Sequence, residues 1–260
     1  GDVVFEGSGI GDFVIIKSDG IPTYNFAVVL DDAMMEITHV IRGEEHLSNT
    51  PRQLVLYKAL GLNPPVFAHV SLILGKDRSK MSKRHGSTSI EAYQSLGYLP
   101  EALVNFFALL GWSPPGEEEI FSLEELVEQF SLDRVAKNPA VFDIDKLSWI
   151  NGHYIRNSPI ERITDIAIPF LREAGYVSGK LNDKDYEWLK MVVLSVRDKL
   201  AYLAQIKDYV KIYFDDHVTM ENDEAEAVLK DQDVLMVMEA FRKMIAEMEE
   251  INPENTKAML

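Results

Sequence analysis

The chain has 260 residues, 47% hydrophobic and 26% charged. That composition suits one large or two modest globular domains and excludes a disordered, collagenous or fibrous chain. Cysteine is absent, which excludes disulfides and thiolate zinc sites and fits a reducing cytoplasm. No apolar run approaches the roughly 18 residues of a membrane helix, and no leader-like segment stands at Gly1, so a membrane partner is not expected. The net charge of −16 is uneven: residues 1–100 carry 11 acids and 9 bases, and the remainder carries 31 acids and 17 bases. Charge alone therefore points away from nucleic acid.

In chain order, Asp12–Ser18 and Thr23–Leu30 are dense in Val, Ile and Phe. With Asp19–Gly20 as a turn between them they read as strands of a hairpin. Asp31-Asp32 then reads as a strand-end turn and not as a metal pair. Glu36–Ile41 and Phe67–Leu74 read as further strands around a helix. That helix has Thr50 as N-cap, Pro51 at its first position and Gly61 at its end, with Leu54, Val55, Tyr57 and Leu60 as its apolar face. Strand, helix, strand is the unit that builds parallel sheets, whose ligands bind beyond the carboxyl ends of the strands. From about Ser89 the pattern is helical. Pro100 starts a helix over Glu101–Leu110 that Gly111 ends, and Ser122 with Glu125 forms a capping box for the helix through Phe130. Asp143 starts a helix expected to stop at Asn151-Gly152, and Ser158, Pro159 and Glu161 suggest another capping box. The next helix carries an internal Pro169. Asp183–Phe214 follows as one long or two shorter amphipathic helices, with Leu189, Val192, Val196, Leu200, Leu203 and Val210 on one face. Glu224–Glu250 adds one or two more.

One loop carries chemistry. Residues 76–84 hold five bases and one acid directly after an apolar strand. Lysines at the end of a parallel strand suit polyphosphate, where ammonium groups meet charge on phosphoryl oxygens. A polar loop without apolar anchors is also expected to be mobile.

The order of residues is more specific than the charge. Lys80-Met81-Ser82-Lys83-Arg84 resembles the K-M-S-K-S loop of class I aminoacyl-tRNA synthetases. Asp19-Gly-Ile-Pro-Thr-Tyr-Asn-Phe-Ala27, Ile37-Thr-His-Val-Ile-Arg-Gly-Glu-Glu-His-Leu47 and Ser48-Asn-Thr-Pro51 resemble the bacterial-type glutamyl-tRNA synthetases in order and spacing. Gly97–Leu103, Leu109–Ser113, Ala140–Asp143 and Lys146–Asn151 continue the likeness. The resemblance implies an α/β Rossmann-type half-domain with a parallel sheet, followed by all-α helical domains. Residues 1–88 would be the C-terminal half of the catalytic domain, 89–157 a helical stem-contact region, and 158–260 part of a helical anticodon-binding region. No His-Ile-Gly-His-like motif is found. The chain is therefore expected to be a fragment, without the N-terminal part and the last C-terminal subdomain, and inactive alone.

The resemblance further implies a glutamate–tRNA ligase: ATP activates glutamate, which is then transferred to the 3′ end of tRNA(Glu). Lys80 and Lys83 would be catalytic, and Ile73, Lys80, Ser82 and Lys83 would bind ATP. Tyr24, Arg42 and His46 would bind L-glutamate, the arginine through its bidentate fork, with Glu45 nearby. Mg²⁺ would arrive with ATP, held by phosphate oxygens. The histidines show no ligand spacing, so no protein-bound metal is expected. Arg134, Lys137, Lys146, Arg197, Lys199, Lys207 and Lys211 are candidate tRNA contacts. A cytoplasmic monomer is expected. Alternatives are a glutaminyl or glutamyl-queuosine enzyme, or a helical RNA- or protein-binding module without catalysis.

Overall fold

A computed structural model describes residues 3–81, 89–215 and 223–247 of the chain. The chain divides into two compact units, Gly1–Val210 and Lys211–Leu260.

The first unit opens with an extended segment whose turn falls where the sequence places it. Ile21 N donates to Asp19 Oδ1 at 3.0 Å and Lys17 N to Ile21 O at 2.9 Å. The flanking strands do not form, and only an isolated Ile16–Pro22 bridge remains. Tyr24–Met34 is instead helix α1. Its apolar residues are dense enough to suggest a strand, but Phe26, Val29 and Ala33 recur at helical spacing. All three pack with Leu56 and Tyr57. Asp31 and Asp32 therefore lie in a helix, not in a strand-end turn.

Strand β1, His39–Gly43, pairs in parallel with β2, Val66–Val70, in the register His39 to Val66 through Gly43 to Val70. Helix α2, Thr50–Leu60, connects them. Gly61 ends α2 at φ 69°, left-handed backbone that glycine adopts without a Cβ penalty. Asn49, not Thr50, is its N-cap residue, and the buried face is Thr50, Gln53, Leu56 and Tyr57. Leu54, Val55 and Leu60 are exposed. The expected face was displaced because two polar side chains occupy the inward positions. The apolar run Phe67–Leu74 is broken: β3, Ile73–Leu74, leaves β2 and pairs in parallel with β4, Ala140–Val141.

The remainder of this unit is helical: α3 (Ile90–Ser95), α4 (Pro100–Gly111), α5 (Leu123–Gln129), α6 (Ile144–Asn157), α7 (Ile160–Glu173), α8 (Asp183–Val196) and the short α9 (Ile206–Tyr209). The Ser122–Glu125 capping box is complete. Asn151 and Gly152 do not stop α6, because the Asn151 side chain is used elsewhere. Its Oδ1 accepts from Leu99 N at 2.8 Å and its Nδ2 donates to Ala201 O at 2.6 Å. Nor does Ser158 cap α7: its Oγ donates back to Tyr154 O, and Pro159 occupies the N-cap position. The stretch expected as one long or two shorter helices from Asp183 breaks after Val196 into short turns. Even so, Leu189, Val192, Val196, Leu200, Leu203 and Val210 are all buried. One turn, Leu203–Gln205, lies against Leu96–Gly97, with Ala204 N donating to Leu96 O at 3.0 Å. Gly97 is required there. Its φ is +78°, and a Cβ would stand 2.7 Å from Leu203 Cβ.

The second unit contains α10 (Lys211–Phe214), at the end of the stretch from Asp183, then α11 (Asp223–Lys230) and α12 (Gln232–Glu247), where the tail was expected to hold one or two helices. Among the described residues, no helix is long and apolar enough to cross a membrane.

Candidate active site

The site is assembled at the carboxyl end of β1. Arg42 is the fourth of its five residues, and the chain then enters a 3₁₀ turn, Glu44–Asn49, before α2. This folding brings three of the expected residues together. Arg42 Nη1 donates to Tyr24 Oη at 3.4 Å, and the Tyr24 and His46 rings stand 5.9 Å apart. His46 Nδ1 lies 3.3 Å from Asn49 Nδ2.

Three further residues hold Arg42, and the sequence did not single them out for the site. Arg42 Nη2 donates to Gln53 Oε1 at 2.8 Å and to Thr50 Oγ1 at 2.9 Å. Arg42 Nε reaches His69 Nε2, on β2, at 3.4 Å. The guanidinium also lies over the Phe67 ring, 5.3 Å from its centroid. Thr50 and Gln53 are buried at 7% and 1% exposure. The available signal was the spacing of two polar residues three apart on one helix face, which hydrophobic periodicity does not register. Guanidinium has five N–H donors. Among the described residues four are matched, all to neutral groups, and the unmatched N–H is on Nη1 beside Tyr24.

Burial and this cation together set the electrostatics. Burial lowers the pKa of His69, and the positive charges of Arg42 and His46 lower it further. Asp32, on the helix facing the site, is raised by burial, against the pull of Arg42 and with the repulsion of Asp31. Desolvation leads both shifts; Arg42 adds to it at His69 and opposes it at Asp32.

Of the expected ATP residues, Ile73 and Lys80 are described, and Ser82 and Lys83 lie outside the described residues. Ile73 lies in β3, where its carbonyl oxygen accepts from Met81 N at 3.1 Å. Lys80 Nζ is 3.4 Å from Glu45 Oε1, in the same strand-end turn as His46. This pair joins Lys80, of the expected ATP residues, to the turn that carries His46, of the expected glutamate residues. Glu45 is lowered by its own backbone N–H, with Lys80 assisting against desolvation. The lysine loop is expected to be mobile; its first half carries internal hydrogen bonds and ion pairs, and residues 82–86 lie outside the described residues. Ser79 N donates to Asp77 Oδ1 at 2.9 Å and Gly75 N to Ser79 O at 2.9 Å. Lys76 Nζ is 2.6 Å from Asp145 Oδ2 and 3.5 Å from Asp143 Oδ1.

Several candidate tRNA bases have internal partners. Arg134 donates to Ser113 O at 2.7 Å and Pro114 O at 2.6 Å, Lys146 pairs with Glu119, and Lys199 lies over the Tyr209 ring. Among the described residues, no group of three or more His, Asp or Glu could hold a metal ion.

Comparison with known proteins identifies the family. Residues 1–149 match the family described as tRNA synthetases class I (E and Q), catalytic domain, and residues 162–260 match an anticodon binding domain. The whole chain is 62% identical to the glutamate–tRNA ligase of Heliobacterium modesticaldum, covering 52% of that protein. It is 58% identical to the glutamate–tRNA ligase of Desulforamulus reducens, covering 54% of it. Among solved structures, a glutamate tRNA ligase from Elizabethkingia meningosepticum, in complex with its amino acid, matches with a TM-score of 0.77 and 32% identity. That match covers 93% of this chain and 50% of the other. The chain thus spans about half the length of the relatives it matches. With more than half of its residues inside the catalytic-domain match, it belongs to the class I tRNA synthetases of the E and Q group.

Proposed function

We propose that this chain is part of a glutamate–tRNA ligase, which joins glutamate to ATP as glutamyl-adenylate with release of pyrophosphate. Glutamate then passes from the adenylate to the 3′ end of tRNA(Glu), and AMP leaves. The observation that carries the reading is Arg42. Its guanidinium is fixed by Thr50, Gln53, His69 and Tyr24, its hydrogen bonds among the described residues go to neutral groups, and one Nη1 N–H is left over. A positive group so held is suited to a carboxylate substrate. The relatives' names favour glutamate over glutamine as that substrate.

The roles divide by position. Arg42 binds the glutamate carboxylate, with Tyr24 and His46 lining the same place. Lys80 exchanges Glu45 for a phosphate oxygen. A solvent-exposed pair of this kind contributes little to stability, so the exchange costs little. Lys83, on the same loop, meets the charge that grows on the phosphates in the transition state. Binding and orientation of the two substrates supply much of the remaining acceleration. Mg²⁺ enters with ATP as part of the substrate. The region matching the anticodon-binding family takes tRNA as partner.

Glutamate-dependent pyrophosphate exchange by the whole protein tests the reading. Lys83→Ala is expected to slow single-turnover activation by about 10²–10³. Arg42→Ala is expected to raise the glutamate KM instead, since the carboxylate loses its partner already in the ground state. An activation rate for Lys83→Ala within about twofold of wild type would remove the loop from ATP chemistry. Binding of tRNA without any exchange would leave a helical binding module.

A further inference from the structure

Gln53 is 1% exposed and reaches no solvent, yet it carries a full amide. Burying an amide is unfavourable unless both of its ends are satisfied. Here both are. Gln53 Oε1 accepts from Arg42 Nη2 at 2.8 Å, and Gln53 Nε2 donates to Asn25 Oδ1 at 3.0 Å. Guanidinium can only donate, so the amide orientation is fixed by its neighbour. Thr50, one helical turn away on the same face, accepts from the same Nη2. Both N–H bonds of Nη2 are therefore occupied by neutral acceptors, and the guanidinium presents its Nη1 side towards Tyr24.

The chemistry of position 53 matters more than its shape. A carboxylate there would have nearly the same outline and would bind Nη2 at least as well. It would also place a buried negative charge against Arg42, which already feels Asp32 at longer range. A cation neutralised at one end attracts a second carboxylate less strongly at the other. We propose that Gln53 is a positioning and specificity-determining residue: it fixes Arg42 while leaving its charge free to select a carboxylate substrate over a neutral analogue. This rests on the reading that Arg42 binds the substrate carboxylate.

The test is steady-state pyrophosphate exchange by the whole protein, with glutamate and ATP varied separately and glutamine as the neutral analogue. Gln53→Glu is expected to raise the glutamate KM by about tenfold to hundredfold, the size of one hydrogen bond to a charged group. The ATP KM should stay within about twofold, and the preference for glutamate over glutamine should fall, since one such interaction is what is lost. Gln53→Met, which removes the acceptor without adding charge, is expected to raise the glutamate KM less. It also keeps the question answerable if the first variant folds poorly. An active wild type whose Gln53→Glu variant keeps its glutamate KM, or whose variants shift both KM values equally, overturns this inference alone. A wild type without glutamate-dependent exchange overturns the functional reading and this inference with it.

Discussion

The α/β layer and the helical layer of the first unit bury different things. Among the described residues up to Met81, the buried hydrophobic side chains are Val29, Leu56 and Tyr57, and the buried polar ones are Thr50 and Gln53. Both polar residues hold Arg42. In the helical layer Leu147, Ile150, Ile155, Ile163 and Leu171 are all fully buried, and its buried polar groups Asn105, Asn151 and Thr164 each bond to backbone. One interior orients a cation, and the other supplies packing. Residues that look equally structural in sequence should therefore fail in different assays.

The largest contrast is expected from Leu147→Ala in the helical layer. Truncating a fully buried leucine costs about 2–5 kcal/mol, while Leu54→Ala on the exposed side of α2 should stay within about 0.5 kcal/mol. Denaturant midpoints of the two variants of this chain would measure the difference, and equal midpoints would erase it. Next comes Asn151→Asp. A carboxylate can still accept from Leu99 N, but it cannot donate to Ala201 O, which would then face a negative oxygen. Leaving such a buried partner unsatisfied costs about 1–3 kcal/mol. Urea unfolding would show it, and a wild-type midpoint would mean that water replaces the lost donor.

The smallest effect belongs to the α/β layer and depends on pH. The His69 pKa lies below the ordinary value of about 6.5, so the folded state favours the neutral ring. Above that ordinary value the contribution to stability is complete. As pH falls from about 6.5 towards the lower folded-state value, the unfolded chain takes up a proton that the folded chain refuses, and stability declines. His69→Gln should flatten the stability profile of this chain between about pH 6.5 and 5, where an unperturbed histidine titrates. An unchanged slope would assign the acid loss to other groups.

Sequence reading was strongest where local chemistry decides. Gly61, the Ser122–Glu125 box and the parallel β1–α2–β2 unit each follow from a few adjacent residues. It was weakest where a side chain had two uses. Asn151 beside Gly152 reads as a helix stop until its amide is seen joining two other segments. Thr50 reads as a cap until its hydroxyl is seen on Arg42. Thr23–Leu30 was misread because apolar density outweighed apolar spacing. Arg42, Tyr24 and His46 were legible through the resemblance, and the structure brings them together. Gln53 and His69 were not, because an inward-facing polar residue leaves no periodic trace and its partner lies elsewhere in the chain.

The Asn151 clasp also makes one amide informative. Leu99 precedes α4 with extended backbone, φ −80° and ψ 139°, so its N–H stands outside the helical ladder. Its acceptor is Asn151 Oδ1, 52 residues further along the chain. Most helix amides report the fraying of their own helix, but this one is shielded from solvent only while α4 and α6 are docked. The exchange rate of the Leu99 amide with deuterated water therefore reads the opening of that joint directly, at a single peptide bond.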